Sequence, residues 1–273
     1  MDAQTHCRER ASPPGSALHY ALLFEPADTA RALRALAAFR RETHDIVGLQ
    51  PDPARARIGY WYRELTLSSG AAARHPVTSE LAWSQARFGL DLAPLAEVLQ
   101  ASQLRLEGIG FADEAALRAH LYGSAGVLGR LAAQICSATD AAAYATMALA
   151  LERTAWVRGL GRALRRDQCP IADVDLAQCG LTSASLLTGH GDDARLDELM
   201  RLQIAHARSL LVAARGALPA RHGPDTRVLR ALAAMGDKLL DELERAGRQV
   251  FHVHIRLGPL VKLICAWRAR RDG

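Results

Sequence analysis

The sequence predicts an all-α protein, and three observations predict it. Alanine and leucine dominate the 273 residues, aromatics make up only 5%, and apolar residues recur at helical spacing and rarely alternate with polar ones. Alanine and leucine have high helix propensities, whereas the β-branched and aromatic side chains that suit a pleated surface are scarce. The hydrophobic fraction of 49% and charged fraction of 23% are those of a globular chain. The length supports one large core and excludes a mini-scaffold.

The elements follow in order. Residues 1–16, with Arg8, Glu9, Arg10 and then Pro13-Pro14-Gly15, read as a disordered leader without the apolar core of a signal peptide. Asp28 is placed to cap a helix from Thr29 to about Val47, which Gly48 and Pro51 stop. A second helix runs from about Pro53 through Tyr60-Trp61-Tyr62-Arg63-Glu64-Leu65 to the turn at Ser68-Ser69-Gly70, and His75-Pro76 starts the next. Further helices are expected over Val77–Phe88, Leu92–Leu104, Glu114–Ile135, Ala141–Leu164, Leu196–Ala217, Thr226–Arg245 and Leu257–Arg268. Arg165–Asp193, broken by Pro170, Gly180, Gly189 and Gly191, is expected to be a loop. No repeat or composition shift marks a boundary, so residues 17–267 form one helical domain and 268–273 a basic tail.

The formal net charge is +5, and nearly all the cations are arginine. Arginine's planar fork suits bidentate contacts to phosphate or carboxylate, although a GC-rich coding sequence gives the same bias. Mild charge and the lack of a recognised motif leave nucleic-acid binding without support. Cys7, Cys136, Cys169, Cys179 and Cys265 are odd in number and contain no C-x-x-C pair, which argues against a disulfide framework or zinc ribbon and fits a reducing cytoplasm. No window offers the roughly 18 uncharged apolar residues that a spanning helix needs.

Taken in order, Tyr20-Ala21-Leu22-Leu23-Phe24, Arg31 to Glu42, Trp61-Tyr62-Arg63-Glu64-Leu65, His75-Pro76-Val77 and Leu121-Tyr122-Gly123-Ser124-Ala125-Gly126-Val127-Leu128-Gly129 resemble the squalene and phytoene synthase family of head-to-head prenyl transferases, as does Val253–Trp267. The resemblance implies a single-domain helical bundle of the isoprenoid synthase type with a central cavity. It also implies two aspartate-rich motifs on facing helices, which hold magnesium against the diphosphates of two isoprenoid substrates. Carboxylates one helical turn apart supply the oxygen ligands that magnesium requires.

The first motif would fall on His44-Asp45-Ile46-Val47-Gly48, where only Asp45 matches. On a helical wheel His44 lies beside the face of Leu33 and Ala37 and should line the interior, more often as a satisfied core residue than as a ligand. Asp45 follows Arg41 by one turn, so an intrahelical ion pair and a metal ligand are both open readings. The second motif would follow Trp156, but the chain reads Arg162-Ala163-Leu164-Arg165-Arg166-Asp167-Gln168-Cys169-Pro170 there, leaving Asp167 as the nearest acid. Asp173 and Asp175 look like turn residues. Arg158, Arg162 and Arg165 share a helical face opposite Leu149, Trp156 and Leu160, so a solvated basic face is favoured over a diphosphate grip. Gly123, Gly126 and Gly129 form a small-residue strip for close helix approach, not a dinucleotide loop.

The candidates are therefore Asp45, His44 and Asp167 for catalysis, Asp45 for a metal, and Arg41, Tyr20, Tyr62, Tyr122, Arg158 and Arg162 for substrate. A member without transfer activity, binding an isoprenoid or other lipid or acting in assembly with a protein partner, is expected to need no cofactor; an active member would need Mg²⁺. An active transferase condensing farnesyl or geranylgeranyl diphosphate and a helical interaction module without a cavity are the alternatives. A cytoplasmic protein is expected, with peripheral inner-membrane contact through Leu257, Leu260, Val261 and Ile264 and the arginines that follow. A terminal helix packed on the bundle is the favoured reading of that segment.

Overall fold

Good helix formers bounded by oxygen-bearing caps produce a chain of helices in the computed structural model, which describes residues 2–68, 73–108, 110–189, 193–219 and 223–271. In order these are α1 (Ala3–Ala11), α2 (Ala17–Ala21), α3 (Ala27–Ile46), α4 (Pro51–Ser68), α5 (Pro76–Phe88), α6 (Leu95–Leu106), α7 (Glu114–Leu121), a π-helical turn (Tyr122–Gly126), α8 (Val127–Ile135), α9 (Ala141–Leu164), α10 (Asp173–Gln178), α11 (Ser183–Leu187), α12 (Asp193–Gly216), α13 (Arg227–Ala246), a 3₁₀ turn (Gly247–Phe251) and α14 (Pro259–Arg271). Among the described residues, extended pairing is limited to one isolated bridge between Phe111 and Ala172.

The caps explain several starts. Asp2, Asp113 and Asp140 accept from the backbone N–H groups of Thr5, Ala116 and Ala143 at 2.8–2.9 Å, filling donors that each helix leaves unpaired. Pro76 opens α5 and Gly89, at φ +67°, closes it in a conformation that costs glycine little. Asp28 does not cap α3. Pro26 takes that place without a side-chain bond, and Asp28 sits in the first turn, accepting from Arg87 of α5 at 2.8 Å.

Three expectations need correction. The leader is helical from Ala3 to Ala11: α1 packs on α3 and α5 and buries Cys7, because burial of that face offsets the polar composition of the rest. The segment 165–193 contains α10 and α11, the latter opened by a reciprocal Thr182–Ser185 capping box. The basic tail is helical to Arg271, with Ala269 buried; residues 272 and 273 lie outside the described residues, as do 69 and 70 of the expected turn.

The helices enclose two apolar regions. One gathers Phe39, Trp61, Leu81 and Leu99, with Phe39 and Trp61 edge to face at 5.5 Å; the other gathers Tyr144, Met147, Leu199, Leu211 and Leu240. Of the glycine strip, Gly129 alone sits at a helix crossing. A Cβ there would lie 2.6 Å from the Tyr144 carbonyl oxygen of α9, whereas one at Gly123 would meet open space and one at Gly126 would meet the ring of Tyr122. No helix among the described residues is long and apolar enough to cross a membrane.

Candidate functional site

Between the two cores lies a cavity of about 900 Å³, at the upper end of the roughly 300–1,000 Å³ that ligand sites span. Its apolar wall is built by α3 (Leu33, Leu36, Ala37), α8 (Leu128, Ala132), α9 (Ala148, Leu151, Ala155) and α13 (Val228, Leu232, Met235, Leu239). Small alanines on facing helices leave the space that larger side chains would fill. Pro13-Pro14-Gly15 and the start of α2 run along one side, and Leu257, Pro259 and Lys262 close another.

The polar part of the lining is cationic. Arg10 of α1, Arg40 and Arg41 of α3, Arg158 of α9, Arg256, and Lys262 of α14 all border the cavity, with Glu9 and Glu152 as the acids and His254 beside them. Glu152, 6% exposed, pairs with Arg40 across the α3–α9 interface and accepts from Trp156 Nε1 at 2.8 Å. Its burial disfavours the charged form, but Arg40 outweighs that and holds the carboxyl below its ordinary range.

Asp45, on the last turn of α3, accepts from Arg10 Nη2 at 2.5 Å and lies 3.7 Å from Arg41 Nε. Against the opposing effect of partial burial, hydrogen bonds from His44 and Arg10 hold Asp45 well below the usual carboxylate range. Arg10 Nε also donates to Glu42 at 2.6 Å. Both acids near this end of α3 are therefore engaged by a residue that arrives from the N-terminal helix.

The other candidates are dispersed. His44 lies outside the cavity, half-buried beside a small recess shared with Arg105, His120 and Trp156, and its Nδ1 is 3.5 Å from Asp45 Oδ1. Asp167 sits exposed in the turn after α9 at φ +56°, away from the cavity lining. Tyr20 and Tyr62 are half-buried and Tyr122 is 40% exposed; none of the three lines the cavity, and Tyr122 accepts from Arg130 at 3.4 Å. Arg162 and Arg165 are exposed, as expected for a solvated face, but Arg158 is half-buried and its Nε lacks a hydrogen-bond partner. The face opposite Trp156 points into the cavity there, because α9 is enclosed on nearly every side. Arg10, Arg40, Arg256 and Lys262 escaped the sequence reading; four separate segments supply them, so no local pattern marks the group.

The fold family implies magnesium, and the side chains at the cavity do not fit it. Among the described residues, no three ligating groups converge there: Asp45 is tied to Arg10 and Arg41, Glu152 to Arg40, and the positions of α9 facing the cavity one and two turns beyond Glu152 are Ala155 and Arg158. Freeing Glu152 for a metal would cost the Arg40 pair and leave a half-buried cation without its carboxylate. The three-residue group that does converge, Glu114, Asp175 and His206, lies outside the cavity lining. There the buried Arg153 donates to Glu114 at 3.0 Å and to Gln203 at 2.9 Å, and Gln203 donates to Asp175 at 2.7 Å, so both acids already have protein donors.

Enclosed by helices and bordered by cations, this cavity defines an all-α bundle built around an internal ligand-sized space. The squalene/phytoene synthase family model matches residues 13–260, and the chain belongs to that family. It is 24% identical over 284 residues to a phytoene synthase of Arthrospira platensis, covering 97% of this chain and 91% of that one. Its fold is similar to that of a dehydrosqualene synthase solved with a ligand (TM-score 0.84, 16% identity, covering 98% and 95% of the two chains). A squalene synthase of Alicyclobacillus acidocaldarius is similar at a TM-score of 0.74 and 20% identity, covering 90% and 94%.

Proposed function

We propose that this chain is a family member that binds an isoprenoid-shaped lipid in its cavity and does not transfer prenyl groups. One observation carries the reading: Glu152 in the cavity wall and Asp45, one turn beyond the cavity-lining Arg41, are both held by arginines, and α9 presents Ala155 and Arg158 to the cavity beyond Glu152. A departing diphosphate needs its developing charge stabilised by preorganised metal ions, the dominant contribution to this chemistry. With that stabilisation lost, an apolar cavity of the right size remains useful for binding, presentation or assembly. The likeness to the phytoene synthase of Arthrospira platensis favours an isoprenoid tail as the ligand's apolar part.

Peripheral contact with an anionic membrane belongs to the same reading. Helix α14 borders the cavity through Pro259 and Lys262, packs on α13 through Cys265, Ala266 and Ala269, and leaves Leu260, Leu263, Ile264 and Trp267 exposed. A lipid-handling protein gains from having such a surface next to its cavity.

The test is incubation of the purified protein with farnesyl or geranylgeranyl diphosphate and Mg²⁺, following diphosphate release. No release above the uncatalysed rate is expected. Turnover at about 1 per second or faster, ordinary for enzymes, overturns the proposal and makes the chain a working synthase.

A further inference from the structure

Away from the cavity, a group of ligating side chains gathers where α7, α10 and α12 meet. The Asp173 N–H donates to the Phe111 carbonyl at 2.8 Å and the Val174 N–H to the Ala112 carbonyl at 3.3 Å, which sets two chain segments side by side at the isolated bridge. That pairing brings Glu114, in the first turn of α7, near Asp175, in the first turn of α10, and α12 adds His206. One oxygen from each acid and one imidazole nitrogen lie within 4.8 Å of one another.

Each acid spends one oxygen on a protein donor and keeps the other. Arg153 of α9 donates to Glu114 Oε2 and Gln203 of α12 to Asp175 Oδ2. Asp175 Oδ1 faces His206 Nε2 at 3.5 Å, beyond the roughly 2.7–3.2 Å of a sound N–H···O bond, and that buried nitrogen has no hydrogen-bond partner. Arg153 and Gln203 are 1% and 2% exposed and bonded to each other, so rigid donors orient both carboxylates from behind, as the outer partners of metal ligands do. The charge balance points the same way. Among the described residues, Arg153 is the one arginine or lysine paired with either acid, and Asp175 is buried, so one carboxylate is held out of water without a cation of its own.

We infer that Glu114, Asp175 and His206 form a binding site for one zinc ion, oriented by Arg153 and Gln203. Two carboxylate oxygens and an imidazole nitrogen are a donor set that zinc accepts, whereas magnesium favours an octahedron of oxygens. The side chains of Glu114 and His206 are 24% and 31% exposed, which gives the ion a path in and leaves a fourth position to water. Zinc bound there cross-links α7, α10 and α12 and fastens the segment 165–193 to the bundle. None of the three ligands lines the cavity, so occupancy of this site is independent of what the cavity holds.

The experiment is isothermal titration calorimetry of the untagged full chain, stripped with EDTA and dialysed free of it, with ZnCl₂ and separately with MgCl₂. One equivalent of zinc is expected, and magnesium should bind about 100-fold more weakly or not at all. His206→Gln and Glu114→Gln should each weaken zinc by about 10-fold or more, as should Gln203→Met through the lost outer bond, and His252→Gln, at an exposed histidine, should change nothing. Thermal unfolding gives a second readout: zinc should raise the Tm of the native chain and of His252→Gln, and not that of Glu114→Gln, whose partly exposed position spares the fold. Cobalt in place of zinc reports the ligand type, and its absorption should lack a thiolate charge-transfer band. Absence of zinc uptake, uptake unchanged in both His206→Gln and Glu114→Gln, or magnesium binding as tightly as zinc overturns the site. A thiolate band overturns it as well, because it places the metal on one of the cysteines.

Discussion

Arg10 reaches Glu42 and Asp45 across more than thirty residues of chain, and that contact decides what the end of α3 can do. The Arg41–Asp45 pair is legible in the sequence as a one-turn spacing and, half-exposed, contributes only a few tenths of a kcal/mol. Arg10 is not legible in the same way, because its partners are set by how α1 packs and not by local spacing. Arg158 shows the converse error: the helical wheel correctly sets it opposite Trp156, but that side of α9 faces a cavity and not water. His120 adds a residue-level prediction. Burial beside Arg105 pushes it down to about 4, and its Nε2 is unpartnered. Because the unfolded chain takes up this proton near pH 6.5 and the folded one only near 4, stability should fall as pH drops through that window. Discounting for partial exposure, the loss is on the order of 2 kcal/mol by pH 4. Thermal denaturation should show His120→Phe losing less stability than the native chain between pH 6.5 and 5; identical pH profiles would contradict this.

At the scale of elements, Ala141–Leu164 is recovered with its sequence-read bounds, since Asp140 caps it and apolar residues recur throughout. Short helices are another matter. The five residues of α11 and six of α10 give helical periodicity too few turns to register, so a proline- and glycine-marked segment reads as a loop. In α14 the sequence names the apolar residues but not their sides. Cys265, Ala266 and Ala269 face the bundle, leaving Leu260, 73% exposed, Ile264 and Trp267 outward beside Arg268, Arg270 and Arg271. The favoured reading, a terminal helix packed on the bundle, holds for one face, and the outward face carries the proposed membrane contact. Sedimentation with vesicles containing anionic lipid should capture the protein at low salt and less of it at high salt, and Leu260→Glu with Ile264→Glu should abolish capture. Salt-independent capture, or none at low salt, would contradict the membrane role.

For the whole molecule, the fold was legible because family motifs recur in order along one chain, and the bundle they imply encloses the expected cavity. The charged border was not legible, since its members come from α1, α3, α9, the segment before α14 and α14 itself, and meet only on folding. On the proposed function, the same assembly leaves a cavity that holds a lipid without ionising it. The most direct measurement is a crystal of the protein soaked with Mn²⁺ and a non-hydrolysable farnesyl thiodiphosphate, examined for anomalous scattering. The prediction is ligand density in the cavity and no manganese between α3 and α9. Manganese bound there by Asp45 and a carboxylate of α9 would contradict the account.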